Sequence, residues 1–315
     1  MRTHVDSKAV IRIDRCVTTP ITQPRIAGAK STSGLPVAFA VGCTIILWAS
    51  AFVAIRIGLA GYKPTEVAAM RYLVASFVLG IRALFARVEI PQKGDIPRLA
   101  LSGLLGFSIY ATLLNYGETR VSAGLASFIV YTVPIFTAII AVIFLHERMG
   151  FKGWIGLGLS LSGTALMAFA TDRRLRFEPN VVTLLAAAIV LSLYFALQKG
   201  LVQRYGAITI TSWAVWLSTA VMAPFLPLKT LFTAPPSSTI AVVYLGIFPT
   251  VIAYSAWAYV VARLPVARAA AYLYGVPAVA TLMGFIFLNE RPSALAILGG
   301  LVATGGVAFV NLRSR

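Results

Sequence analysis

From Leu35 onward, ten long apolar runs follow one another with only short polar breaks between them. They are 35–58, 66–86, 97–117, 123–145, 152–170, 181–200, 207–228, 238–260, 267–288 and 294–312. Each is about 19–24 residues long, and at about 1.5 Å rise per residue that crosses a hydrocarbon core of about 30 Å. Inside a bilayer every backbone N–H and C=O must be bonded within the protein, so runs of this length fold as helices. The breaks carry helix-ending chemistry: Gly61-Tyr62-Lys63-Pro64, Pro91-Gln92-Lys93-Gly94-Asp95, Asp172-Arg173-Arg174, Glu178-Pro179-Asn180 and Pro235-Pro236. The expected fold is all-α, a polytopic membrane bundle of ten transmembrane helices.

Composition excludes the soluble alternatives. The 315 residues are 59% hydrophobic and 12% charged, too little charge to cover a water-exposed surface. The net charge of +17 invites a nucleic-acid reading, but no soluble segment carries a basic face with interleaved aromatics. Loop charge that orients a membrane protein accounts for it better. Two cysteines and two histidines supply no metal cluster, no disulfide framework and no His-based catalytic set. No enzyme activity, metal or cofactor is expected, and the expected partners are the lipid bilayer and a small-molecule substrate.

Residues 1–34 hold Arg2, Lys8, Arg12, Arg15, Arg25 and Lys30 with no apolar core, so they read as a disordered basic cytoplasmic tail and not as a secretory signal. Lys and Arg favour the side of the membrane that carries the tail, which places both termini in the cytoplasm. Arg173, Arg174 and Arg176 fall on the opposite side and conflict with that assignment.

The sequence also repeats itself at a shift of 143 residues. Pro134 maps to Pro277, Tyr131 to Tyr274, Glu147-Arg148 to Glu290-Arg291, Gly156 to Gly299 and Gly163 to Gly306. Two units follow, 35–171 and 180–312. Five helices is an odd number, so the second unit enters the membrane from the opposite side and the pair is inverted. Inverted twins can exchange conformations about a shared cavity, which is the physical basis of alternating access. Duplication that built only a packed bundle is the plainer reading of the same pattern.

Particular residues carry a resemblance. Asn115-Tyr116-Gly117, Ser122-Ala123-Gly124-Leu125-Ala126-Ser127, Pro134, Phe144-Leu145-His146-Glu147-Arg148, Gly156 and Gly163 resemble the EamA-type unit of the drug/metabolite transporter superfamily. So do Ala269-Ala270-Ala271-Tyr272, Pro277, Phe287-Leu288-Asn289-Glu290-Arg291, Gly299 and Gly306, and Arg71 fits the same pattern. His146 and Asn289 stand where that family often has a small residue. The resemblance covers 35–312 and implies ten helices, a central cavity, and transport, frequently export, of amino acids, metabolites or toxic organic cations. It implies the cytoplasmic (inner) membrane of a bacterium as the location.

Candidate site residues lie near mid-span. Trp48, Tyr110, Phe128, Tyr131, Tyr194, Tyr254, Trp257 and Tyr274 are aromatics placed away from the interfacial belts, and Asn115 and Gln198 are amides that need partners when buried. A cavity wall for substrate binding is one reading, and ordinary helix packing is the other. Pro134 and Pro277 free backbone carbonyls at mid-membrane and read as hinges or as packed kinks. Arg71 reads chiefly as a structural charge reaching the outer headgroups or pairing with Glu66 or Glu118, with a substrate carboxylate as the alternative. Glu147 and Glu290 read as structural caps for the helix that follows each of them. Gly153, Gly156, Ser160 and Gly163, with Gly299, Ala303 and Gly306, form small-residue ridges for close packing within a monomer, or for a weak homodimer. None of the 10 acidic residues is deep in a run, so uniport or weak proton coupling is expected.

The functional expectation is a carrier exporting small amphipathic metabolites or amino acids by alternating access. The alternatives are a multidrug or organic-cation exporter and, in a different class, a scaffold or sensor without flux.

Overall fold

The structure is a computed structural model, and it describes residues 34–171, 179–288 and 293–311. The basic tail, the cluster Arg173, Arg174 and Arg176, and the Asn289-Glu290-Arg291 turn lie outside the described residues. The described residues form helical rods and no strand. They are α1 (Gly34–Leu59), α2 (Pro64–Phe85), α3 (Lys93–Gly117), α4 (Ala123–Phe144) and α5 (Phe151–Thr171). After the gap come α6 (Pro179–Tyr205), α7 (Ala207–Phe225), α8 (Pro236–Arg263), α9 (Val266–Phe287) and α10 (Ala294–Asn311). Among the described residues 8 helices are long and apolar enough to cross a membrane, and α5 and α10 are not among them. Phe77, Leu84, Phe151, Phe285 and Leu301 are exposed on the outside of the bundle, a surface that suits lipid and not water.

The helix ends match the apolar runs to within a few residues, with one informative exception. Helix α6 continues to Tyr205, past the end of its run at 200. The extra turn reaches Asp95, which accepts hydrogen bonds from Arg204 Nη1 (2.5 Å) and the Tyr205 hydroxyl (2.6 Å). A polar contact, invisible to hydropathy, sets that end.

Four rods are interrupted, three of them beside a proline. Helix α4 breaks at Tyr131 and Thr132, and Pro134 stands in the first turn of the segment that follows. Proline has no N–H to donate, so the turn before it is free to unwind. Helix α9 tightens to a 3₁₀ turn at Tyr272–Tyr274 before Pro277. Helix α8 widens to π geometry over Gly246–Ala253 with Pro249 inside it. Helix α3 does the same at Leu104–Ile109, with no proline. Such widened turns leave carbonyls available to side chains.

Several contacts join residues that differ by the sequence shift. The Ser76 and Thr219 hydroxyls share a hydrogen bond of 2.6 Å, and they stand 143 residues apart. Ser160 Oγ donates to the Ala303 carbonyl at 3.0 Å, again 143 residues apart. Helices α5 and α10 run together along their glycines. A Cβ added at Gly163 would lie 2.6 Å from the Gly299 carbonyl oxygen, and one at Gly306 would lie 2.7 Å from the Gly156 carbonyl oxygen. The small-residue ridges therefore pack against each other within one chain. Gly103 and Gly246, also a shift apart, make matching crossings: an added Cβ would meet the Ala214 carbonyl at 3.0 Å and the Arg71 carbonyl at 2.8 Å, respectively.

Candidate functional site

A small cavity lies inside the bundle among buried aromatic side chains. Its wall is Trp48, Ala51 and Phe52 from α1, Arg71 from α2, Tyr110 and Leu114 from α3, Tyr131 from α4, Leu191 from α6 and Tyr254 from α8. Its free volume is ≈ 10 Å³, room for about one water. Both halves of the chain contribute, and the break in α4 delivers Tyr131 to the wall.

The π turn of α8 organises the polar side. Pro249 has no N–H, so the Leu245 carbonyl one turn earlier loses its helical donor. Thr250 Oγ1 donates to that carbonyl at 2.8 Å and in turn accepts from Arg71 Nε at 2.6 Å. Trp48 Nε1 donates to the Pro249 carbonyl at 3.3 Å. One proline thus orients both the indole and the guanidinium that face the cavity. The π turn of α3 plays the matching part for tyrosines: its Gly106 carbonyl accepts from the Tyr254 hydroxyl (3.0 Å) and its Phe107 carbonyl from the Tyr72 hydroxyl (2.8 Å). Rings fill the space behind the wall. Phe107 and Tyr254 have centroids 4.4 Å apart, Trp48 and Tyr254 5.1 Å, and Phe195 and Trp257 4.5 Å.

The structure sorts the sequence candidates. It brings Trp48, Tyr110, Tyr131 and Tyr254 together on the cavity wall. Tyr194 and Trp257 stand one layer back, against Tyr254 and Trp48. Phe128 is buried away from the cavity. So is Tyr274, whose hydroxyl has no hydrogen-bond partner among the described residues. Asn115 also stays off the wall, because its Nδ2 donates to the Pro64 carbonyl at 2.9 Å and ties α3 to the start of α2. Gln198 is buried with neither amide atom hydrogen-bonded among the described residues.

Two charges differ from expectation. Arg71 is 2% exposed and lines the cavity, so it does not snorkel to headgroups. Glu66 is occupied elsewhere, accepting from the Lys63 N–H at the start of its own helix (2.8 Å). Glu147 does not cap the helix that follows it. His146 takes a left-handed conformation (φ 51°), the geometry that a small residue adopts at less cost, and α4 ends there. The Glu147 carboxylate instead accepts from Val266 N (2.9 Å) and Ala267 N (3.1 Å) at the start of α9, and it pairs with Lys199 of α6. It is a cap, as expected, but for a helix more than a hundred residues away and not for the one that follows it.

A second cavity of ≈ 290 Å³ opens at the α1–α2 turn, lined by Arg56, Leu59, Ala60, Tyr62, Pro64, Glu118 and Thr119. Arg56 Nη1 donates there to the Glu118 and Val121 carbonyls (3.0 and 2.9 Å), joining α1 to the α3–α4 turn. Phe52 precedes Arg56 by four residues, as Leu114 precedes Glu118, so this cavity sits about one helical turn from the first.

Sequence reasoning missed Phe52, Ala51, Leu114, Leu191 and Thr250. Pro249 inside an apolar run was the one available signal for Thr250.

Known proteins with this sequence pattern are transporters. The model of the EamA-like transporter family matches residues 35–169 and again 179–312. The uncharacterized transporter YdfC of Bacillus subtilis (strain 168) is 40% identical over 269 residues, covering 85% of this chain and 88% of that protein. A probable terminal-alkyne amino-acid exporter of Streptantibioticus cattleyicolor is 39% identical over 278 residues, 88% of this chain and 93% of that one. A solved crystal structure 20% identical in sequence superposes with a TM-score of 0.71 over 89% of this chain and 98% of its own, and so shares the fold. With both halves matched and a relative at 40% identity, this chain is a membrane protein of the EamA-like transporter family, within the drug/metabolite transporter superfamily.

Proposed function

We propose that the protein is a carrier of small amphipathic metabolites or amino acids, working outward across a bacterial cytoplasmic membrane by alternating access. The carrying observation is the small internal cavity, walled by both halves of the chain, with aromatic faces around one guanidinium. A scaffold or sensor has no need of an aromatic chamber with one buried arginine at the meeting point of its two halves. The printed name of the Streptantibioticus relative, an amino-acid exporter, supports the substrate class and the direction.

In this reading all ten rods span the bilayer, both termini face the cytoplasm, and the two five-helix units are inverted twins. The contacts at a separation of 143 residues support the twin relation, since a residue and its counterpart meet only near a two-fold axis. The breaks before Pro134 and Pro277 are the hinges. The chain acts as a monomer, because α5 and α10 use their glycine faces on each other.

The inverted topology has a direct test. Arg148→Cys and Arg291→Cys, made singly in intact cells, are expected to react differently with a membrane-impermeant maleimide, with only the second labelled. Labelling of both from outside would end the inverted arrangement.

Transport is tested by counterflow of labelled neutral amino acids in liposomes carrying the purified protein. The wild type is expected to exchange label. Ala51→Phe fills a chamber of ≈ 10 Å³ and is expected to reduce the rate at least about ten-fold while the protein still elutes as a single species. Full activity in Ala51→Phe would remove the cavity from the pathway.

A further inference from the structure

We infer that Arg71 and Thr250 form a carboxylate seat, which restricts this carrier to solutes bearing a carboxylate and rejects organic cations that lack one. The inference rests on the carrier reading above and names the substrate chemistry of the same cavity.

Arg71 is 2% exposed, and a buried guanidinium is stable only when its donors and its charge are answered. Its Nε has Thr250. Among the described residues the guanidinium makes no other hydrogen bond, and it belongs to neither of the ion pairs, Glu147–Lys199 and Asp95–Arg204. Among the described residues its aromatic partner is the Tyr72 ring, 5.8 Å from its Cζ. No wall residue of the cavity is acidic. Arg71 therefore lines a chamber whose wall holds no carboxylate, and the buried Glu118 stands in the wall of the neighbouring cavity. A carboxylate matches the planar donor fork of a guanidinium in both geometry and charge.

The internal repeat supplies a control that a single buried arginine rarely has. At the shift of 143 residues seen in the Ser76–Thr219 contact, the counterpart of Arg71 is Ala214, fully buried, and that of Thr250 is Phe107, also fully buried. The two crossings are alike: Gly246 packs against the Arg71 backbone as Gly103 packs against the Ala214 backbone. The same helix approach is thus made once with a cation and hydroxyl and once with a methyl and phenyl group. Packing does not call for the arginine. What it adds is a polar pole on one side of an otherwise aromatic chamber.

The remaining wall sets the rest of the ligand. Trp48, Phe52, Tyr110, Tyr131 and Tyr254 suit a small apolar or aromatic body. An ammonium group finds ring faces but no carboxylate, so the amine of an amino acid is tolerated and not required. An organic cation without a carboxylate meets like charge at Arg71, with ring faces and no carboxylate to offset it.

The test uses the full-length protein in liposomes, with matched probes: labelled L-leucine, L-phenylalanine and L-alanine, their uncharged N-acetyl amides, and tetraphenylphosphonium. Counterflow of the free amino acids by wild type, with amides and tetraphenylphosphonium at background, is the expected result. Arg71→Gln should lower amino-acid exchange by about 10- to 100-fold, the worth of a charge-assisted hydrogen bond. Thr250→Val keeps the charge and loses its orientation, and should raise the half-saturating concentration several-fold with little change in maximal rate. It also serves if Arg71→Gln does not accumulate. Exchange of amides or tetraphenylphosphonium as fast as amino acids overturns the carboxylate seat and leaves the carrier reading standing. So does unchanged saturation in Thr250→Val. Absence of exchange for every probe overturns both.

Discussion

Gly163→Leu is expected to destroy the contact between α5 and α10 and, with it, the stability of the bundle. A side chain there would have its first carbon 2.6 Å from the Gly299 carbonyl oxygen and 2.8 Å from the Ala303 Cα. Both are backbone atoms in the middle of a helix, so neither can step aside without moving the rod. Overpacking of a core by side chains costs about 1–3 kcal/mol, and a clash with backbone belongs above that range, at no less than about 3 kcal/mol. Gly306→Leu should behave alike, since its Cβ would stand 2.6 Å from the Ser160 amide nitrogen. Gly158→Leu and Gly305→Leu are the controls: each glycine has open space where its Cβ would be, and their effect should stay within about 0.5 kcal/mol. Thermal midpoints of detergent-purified protein, followed by fluorescence-detected size exclusion, separate the two pairs. Equal midpoints for Gly163→Leu and Gly158→Leu would show that α5 and α10 are not held at this distance. The packing matters because membrane helices associate through close contact and hydrogen bonds, with little hydrophobic drive between them.

Glu147→Ala should have the second-largest effect on stability. The carboxylate satisfies two orphan N–H groups at the start of α9 and the Lys199 ammonium at once, so its loss strands three donors at one end of the bundle. Removing one partner of a largely buried pair costs about 3–5 kcal/mol, and the residual exposure of Lys199 (21%) and Glu147 (11%) places the expected loss near the lower end. Glu147→Gln keeps an acceptor for one N–H and removes the charge, so it should fall between alanine and wild type. Lys199→Ala should cost less than Glu147→Ala, because the cap on Val266 and Ala267 survives it. The same order is expected in thermal midpoints. A Lys199→Ala variant as unstable as Glu147→Ala would mean that the ion pair to α6, and not the cap on α9, carries the contribution of Glu147.

How much of this was written in the chain can be judged residue by residue. Pro134 and Pro277 announced the interrupted helices, because a missing N–H is a local fact. Tyr131 was found on the wall because it precedes Pro134 by three residues and stands in the break itself. Asn115 was misplaced for the opposite reason: a buried amide needs a partner, but nothing local says whether that partner is a solute or, as here, the Pro64 carbonyl on another helix. Glu147 carried a clear signal as a helix cap, yet its helix begins at Val266.

The sequence by itself determined that these residues form helices long enough for a bilayer, roughly where each begins and ends, and that the chain is doubled. Those properties follow from run length, from backbone donors that must be satisfied locally in hydrocarbon, and from a repeat visible by alignment. Tertiary structure alone decided which side of each helix faces the centre. A helix apolar all round presents no polar stripe to orient it, so its rotation is set by partners far along the chain. Arg71 meets Thr250 across 179 residues, and Trp48 meets the Pro249 carbonyl across 201. Those meetings, and not any local pattern, turn a costly arginine from the lipid toward the cavity.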